Sequence, residues 1–175
     1  MIFEATPIVG AYLVRLEPHV DERGAFARVF CSREFADQRI KFTIAQSNLA
    51  TTTSVGTVRG LHFQEAPAAE QKFVRCVAGE VFDVIVDMRP DSPSFRNVYH
   101  TVLSKLNELA LFIPPGVAHG YQAVADHTQF LYMTDEFYSP GNEKGVRFDD
   151  PLLSIPWPKR PLNVTDRDKN WPLLQ

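Results

Sequence analysis

Cysteine is scarce in this chain: two residues, Cys31 and Cys76, among 175. Neither has metal-ligand spacing to another candidate ligand, and both lie in strand-like runs. They read as buried free thiols, which suits a reducing cytoplasm. An excess of positive charge is also missing, since 18 Lys and Arg stand against 21 Asp and Glu, a formal net charge of -3. Without a basic surface to attract phosphates or anionic headgroups, nucleic acid and membrane are excluded as main partners. No apolar run reaches helix-spanning length. The opening MIFEATPIVGAYLVRL has Glu4, Pro7 and no basic start, so it reads as neither signal peptide nor membrane span. Linkers rich in Ser and Gly, internal repeats and low-complexity tracts are absent, so residues 1–175 are expected to form one domain.

What is present has the texture of an all-β protein. Hydrophobic residues make up 45%, thirteen residues are Phe, and Gly and Pro recur at short intervals, as they do between short strands. Strands are expected over Ala11–Val20, in AFARVFC, over Phe42–Asn48, in TVRGLHF, KFVRCV and VFDVIVDMR, over Val98–Leu103 and in LALFIPPG. Val117–Val124 and Gln129–Thr134 read as a hairpin around Asp126. DERG at Asp21–Gly24 is a turn, Ser32 caps a short helix, and the proline-rich DDPLLSIPWPKRPL is a tail wrapping the rest. Strands of this length at roughly ten-residue spacing fit a sandwich or a double Greek-key jelly roll.

The stretch Gly56–Gly79 concentrates the chemistry. His62 ends one apolar run, Lys72 begins the next, and EAPAAE connects them, so a hairpin would set the two face to face. Period-two counting sends Arg59 and His62 to opposite faces, but a bulge at Gly60 would turn both toward one cavity. A lone strand His is usually a satisfied structural residue, and Tyr132, on one face with Phe130 and Thr134, is by default a core aromatic. Lys72 is more telling. It shares an inward face with Val74 and Cys76, where an ammonium is costly to bury. In VFDVIVDMR, alternation gives Phe82, Val84, Val86 and Met88 one dry face and leaves Asp83, Ile85 and Asp87 on the other.

Two stretches resemble the paired signatures of the cupin superfamily. One runs from Gly56 through His62, Gln64 and Lys72 to Gly79, and the other is Pro114-Pro115-Gly116 followed by His119. Metal-binding cupins place His and Glu where this chain has Gln64 and Lys72, so the resemblance implies a metal-free site. DERGAF, AQSN, GTVRGLHFQ, KFVRC, GEVFDVIVDMR, IPPGVAHGY, LYMTDEFY, RFDDPLLSIPWP and TDRD, in that order, further resemble the dTDP-4-dehydrorhamnose 3,5-epimerases of deoxysugar biosynthesis.

That resemblance implies a cupin jelly roll with short peripheral helices, no cofactor, a nucleotide diphosphate 4-keto-6-deoxysugar as substrate and a homodimer. It makes His62 the base, Asp168 its partner, Tyr132 the acid and Lys72 the donor to the C4 oxygen. Arg23, Gln46, Ser47, Asn48, Arg59, His119, Tyr138, Glu143 and Arg167 become substrate contacts, with Phe26 and Phe137 as pocket walls. Arg28 stands where the family usually has a Glu that meets the nucleotide, a charge reversal that removes acceptors. Epimerisation at C3 alone or C5 alone, and a non-catalytic sugar-binding cupin, are the alternatives.

Overall fold

The computed structural model describes residues 1–175. Its strands, in chain order, are β1 (Ile2–Ala5), β2 (Tyr12–Arg15), β3 (His19–Asp21), β4 (Gly24–Phe26), β5 (Gln46–Thr52), β6 (Val58–Gln64), β7 (Lys72–Ala78), β8 (Glu80–Asp87), β9 (Val98–Ser104), β10 (Ala110–Ile113), β11 (Val117–Ala123), β12 (Thr128–Thr134) and β13 (Glu143–Gly145). Helices are few and short: α1 (Ser32–Asp37), α2 (Asp166–Lys169) and one 3₁₀ turn at Pro140–Asn142. None is long and apolar enough to cross a membrane.

Two antiparallel sheets face each other, one ordered β1-β2-β10-β7-β12-β5 and the other β13-β6-β11-β8-β9. From β5 onward the chain steps between sheets in the double Greek-key order of a jelly roll, the cupin-type fold. Of the strands from β5 to β12, only β8 and β9 are both consecutive and hydrogen-bonded to each other. The expected hairpins are therefore arches. β6 and β7 lie in opposite sheets, as do β11 and β12, and the polar connections that read as hairpin turns cross the sandwich instead. Composition marks a turn without saying which sheet the next strand joins.

Three apolar clusters hold this frame. Between the sheets, Val74, Cys76, Ile85, Leu111, Tyr121 and Phe130 fill one end. Outside the six-stranded sheet, α1 is too short to persist alone and is held by fully buried Phe35, which meets Phe42, Phe73 and Phe112 edge or face. Its cap is Cys31, without a side-chain bond, and Ser32 is the first helical residue rather than the cap. Outside the five-stranded sheet, Leu61, Phe82, Val84, Val86 and Ala118 pack beneath Val146, Leu153 and Trp157 of the C-terminal tail. The other face of β8 is dry too: Asp83 and Asp87 are both fully buried.

The tail is fastened by polar clamps. The buried Gln122 amide donates to Lys159 O and accepts from Lys159 N, each at 3.0 Å, and Trp157 Nε1 donates to Phe148 O at 2.7 Å. Two elements flanking it were not expected: β13, which pairs with β6, and α2. Several strand bounds also moved. AFARVFC is paired only as far as Phe26, and the strand expected over Phe42–Asn48 runs instead over Gln46–Thr52. Both free thiols are unpaired, Cys76 buried and Cys31 half-buried.

Candidate active site

At the end of the sandwich not filled by apolar side chains lies a cavity of about 500 Å³. Alternation along the strands supplies its walls. Gln46 and Asn48 come from β5, Tyr132 and Thr134 from β12, Lys72 from β7, Arg59 and His62 from β6, His119 from β11 and Glu143 from β13. Arg167 enters from α2, and Tyr138 and Glu70 from connections.

Arg59 and His62 share the cavity because β6 is bulged. His119 pairs with His62 and Tyr121 with Arg59, leaving Gly120 alone opposite Gly60 and Leu61. The extra residue breaks strict alternation. Gly60 has φ +107°, and a Cβ there would lie 2.6 Å from both Gly120 Cα and His119 O, so only glycine fits.

His62 Nε2 lies 2.6 Å from Asp168 Oδ1. Asp168 belongs to α2, where its backbone N–H donates to the Thr165 hydroxyl of the cap at 3.2 Å. Burial pushes its carboxyl upward, but the His62 hydrogen bond and charge, Thr165 and the Gly60 N–H outweigh it and hold the group below its ordinary value. An ionised carboxylate only accepts, so Nε2 carries the proton and the Nδ1 lone pair is free. Glu143 Oε1 is 3.7 Å from that Nδ1, while Glu143 Oε2 accepts from Tyr138 Oη at 2.9 Å and from Arg167.

Across the cavity, Lys72 Nζ donates to His62 O at 3.1 Å and pairs with Glu70 Oε1 at 3.0 Å. The two residues thus meet across the sandwich, not along a hairpin. Tyr132 is half-buried. Desolvation first, then the Glu70 and Glu143 charges, raise its hydroxyl above the ordinary phenol value against the pull of Arg59, so it keeps its proton near neutrality. Arg59 itself donates to Thr52 Oγ1 at 3.1 Å and to Thr51 O at 3.3 Å, both neutral acceptors.

A second His–carboxylate pair escaped the sequence. His119 Nε2 is 2.9 Å from Asp83 Oδ2, with the imidazole stacked over Phe130 at 5.9 Å. Asp83 is fully buried, its other oxygen has no partner, and burial raises its pKa against the opposing His119 charge. The available signal was an Asp sharing a strand face with Ile85. Glu70 was hidden in a polar connection.

Some expected contacts stand elsewhere. Ser47 points outward because its neighbours Gln46 and Asn48 alternate with it, and the cavity takes only those two. Arg23, Phe26 and Arg28 are outside this chain's cavity. Arg23 and Phe26 lie on the exposed β3–β4 hairpin, which pairs with nothing else, and Arg23 is bonded to Asp21. Arg28 pairs with Glu34 at 3.3 Å. Phe137 is exposed and does not line the cavity. The residues do not fit a cupin metal. The Gln64 amide is spent on Ala68 O, Phe137 O and Ser139 N, and Lys72 brings an ammonium into the cavity where a ligand would be.

A profile of the dTDP-4-dehydrorhamnose 3,5-epimerase family matches residues 5–175. The enzyme of that name from Shigella flexneri is 41% identical over 159 residues, spanning 88% of this chain and 86% of its own. The Bacillus anthracis enzyme, solved with TDP and PPi bound, superposes with a TM-score of 0.94 at 35% identity, covering 99% of both chains. A Legionella pneumophila enzyme in complex with dTDP-4-keto-L-rhamnose gives 0.91 at 31% identity, covering 98% of this chain and 92% of that one.

Proposed function

Because the chain belongs to the dTDP-4-dehydrorhamnose 3,5-epimerase family, we propose that it inverts C3 and C5 of dTDP-4-dehydro-6-deoxy-D-glucose, giving dTDP-4-dehydro-L-rhamnose. One observation carries the reading: His62 and Tyr132 face a single cavity from opposite sheets. Inversion needs that arrangement, because the proton must leave one face of the sugar carbon and return on the other.

His62 Nδ1 takes the α-proton, and the C–H electron pair moves through the new C–C double bond onto the C4 oxygen. The Lys72 ammonium holds that enolate oxygen, while Asp168 stabilises the imidazolium. Tyr132 then gives its proton to the opposite face, the C4 ketone re-forms, and exchange with water returns His62 and Tyr132 to their starting states. No electrons are gained or lost, so the step calls for no redox cofactor. The second carbon follows the same course.

His119, steadied by Asp83, offers its other nitrogen to the sugar. Arg59, bonded only to neutral groups, keeps its charge for the diphosphate, and Gln46, Asn48, Tyr138, Glu143 and Arg167 complete the nucleotide side. We assign Arg23, Phe26 and Arg28 to a homodimer, in which the β3–β4 hairpin reaches the second copy's cavity. Supporting this, Val20 and Phe26 are 75% and 72% exposed on that hairpin. The whole chain acts as one domain. Two unpaired thiols favour a cytoplasmic setting.

Incubation with dTDP-4-keto-6-deoxyglucose in deuterium oxide, followed by NMR, tests the assignment. Deuterium at both C3 and C5 is expected. Label at one carbon would make the protein a mono-epimerase, and none at all would end the enzymatic reading.

A further inference from the structure

Glu70 enters the same cavity from the connection between β6 and β7 and has no part in the proton transfers just described. Its carboxylate pairs with Lys72 Nζ at 3.0 Å, and the two side chains are only 10% and 12% exposed. The segment is not loose. The next residue, Gln71, donates its backbone N–H to Asp135 Oδ1 at 2.6 Å and its side-chain amide to Lys41 O at 2.9 Å. An ammonium has three N–H donors. One goes to His62 O at 3.1 Å, a second to Glu70, and the third remains for the cavity that Lys72 lines.

We propose that Glu70 is a positioning residue for the epimerisation, which with the His62 carbonyl fixes the Lys72 ammonium so that its remaining N–H meets the C4 oxygen. The inference rests on the function proposed above. A lysine stem has four rotatable bonds and its ammonium is a compact point charge, so a single anchor leaves its direction undetermined. Two anchors define it. As an anion Glu70 opposes the enolate directly, so its contribution comes through Lys72, which lies nearer the developing charge.

The test is a double-mutant cycle on the full chain, comparing wild type, Glu70→Gln, Glu70→Ala, Lys72→Met and Glu70→Ala/Lys72→Met. Deuterium wash-in and product formation would be followed by NMR, and TDP binding by calorimetry. Glu70→Ala is expected to lower kcat by about 10- to 100-fold, by analogy with the loss of a partner that orients a metal-ligating side chain. TDP affinity stays within about twofold, and Glu70→Gln, which keeps an acceptor for the ammonium, recovers most of the rate. In the Lys72→Met background, Glu70→Ala should cost less than about twofold, because the group it acts through is gone. An equal loss in both backgrounds, or full activity in Glu70→Ala, overturns the inference. Wild type that incorporates no deuterium overturns the function itself, and this inference with it.

Discussion

The ring of His62 and the carboxylate of Asp168 are 106 positions apart in sequence and 2.6 Å apart in space. Everything the imidazole can do depends on that contact, because the ionised acceptor at Nε2 leaves the lone pair on Nδ1.

Asp168→Asn should keep the fold while reversing the tautomer. An amide can donate to Nε2, which moves the ring proton to Nδ1 and removes the base. The expected fall in kcat is about 10⁴-fold, by analogy with the same exchange in a hydrolytic triad. Near-normal TDP binding alongside that loss would support the tautomer argument. A loss below tenfold would contradict it.

Tyr132→Phe separates the two halves of the reaction. His62 still removes the α-proton and can return it only to the face it came from, so deuterium should enter the substrate without inversion. NMR of the recovered sugar distinguishes labelled starting material from labelled epimer. Unimpaired epimer formation would show that another acid serves the second face.

Gly60→Ala attacks the bulge. The new methyl would press on Gly120 Cα and His119 O at 2.6 Å, at a backbone angle L side chains rarely adopt. A loss of about 2–4 kcal/mol is expected, with backbone strain and steric overlap both contributing. Urea unfolding reads it directly. An unchanged midpoint would mean the two strands can separate at no cost.

Asp87→Asn makes a statement about pH. Burial raises the Asp87 carboxyl, but donors from the Arg89 side chain, Ser92, Ser94 and the Arg89 backbone outweigh it and hold the group well below its ordinary value. A depressed folded pKa stabilises the protein above the unfolded value of about 3.9, and that contribution fades as pH falls through the folded value. At pH 7 the variant should be less stable by about 3 kcal/mol. The gap to wild type should shrink steadily below about pH 4. A gap independent of pH would assign the loss to packing.

Side-chain direction was legible in the sequence; strand partnership was not. Alternation correctly set Phe130, Tyr132 and Thr134 on one face, and Lys72 with Val74 and Cys76 on another. The Gly60 bulge was readable because a glycine inside an apolar strand has few other uses. Nothing local distinguishes a hairpin turn from an arch, however: EAPAAE has the composition of a hairpin turn, yet β6 and β7 face each other across the sandwich. Alternation along β8 separates Asp83 from the apolar row but does not say that the sandwich interior covers its side as well, where Asp83 is fully buried. β13 and α2, at three and four residues, are too short to show a period, and both owe their form to the strands they pack on.

The clamped C-terminal tail also bears on how the protein is made. The strands from β5 to β12 carry His62, Lys72 and Tyr132, whereas Tyr138, Glu143 and Arg167 reach the cavity from the segments that follow. His62 still lacks its partner. Only when the tail has crossed the five-stranded sheet and α2 has docked does Asp168 arrive. On the roles proposed above, the base is therefore completed by the final turn of helix in the chain, and removing residues from position 165 onward would take away the partner of His62 while leaving Lys72 and Tyr132 in their strands.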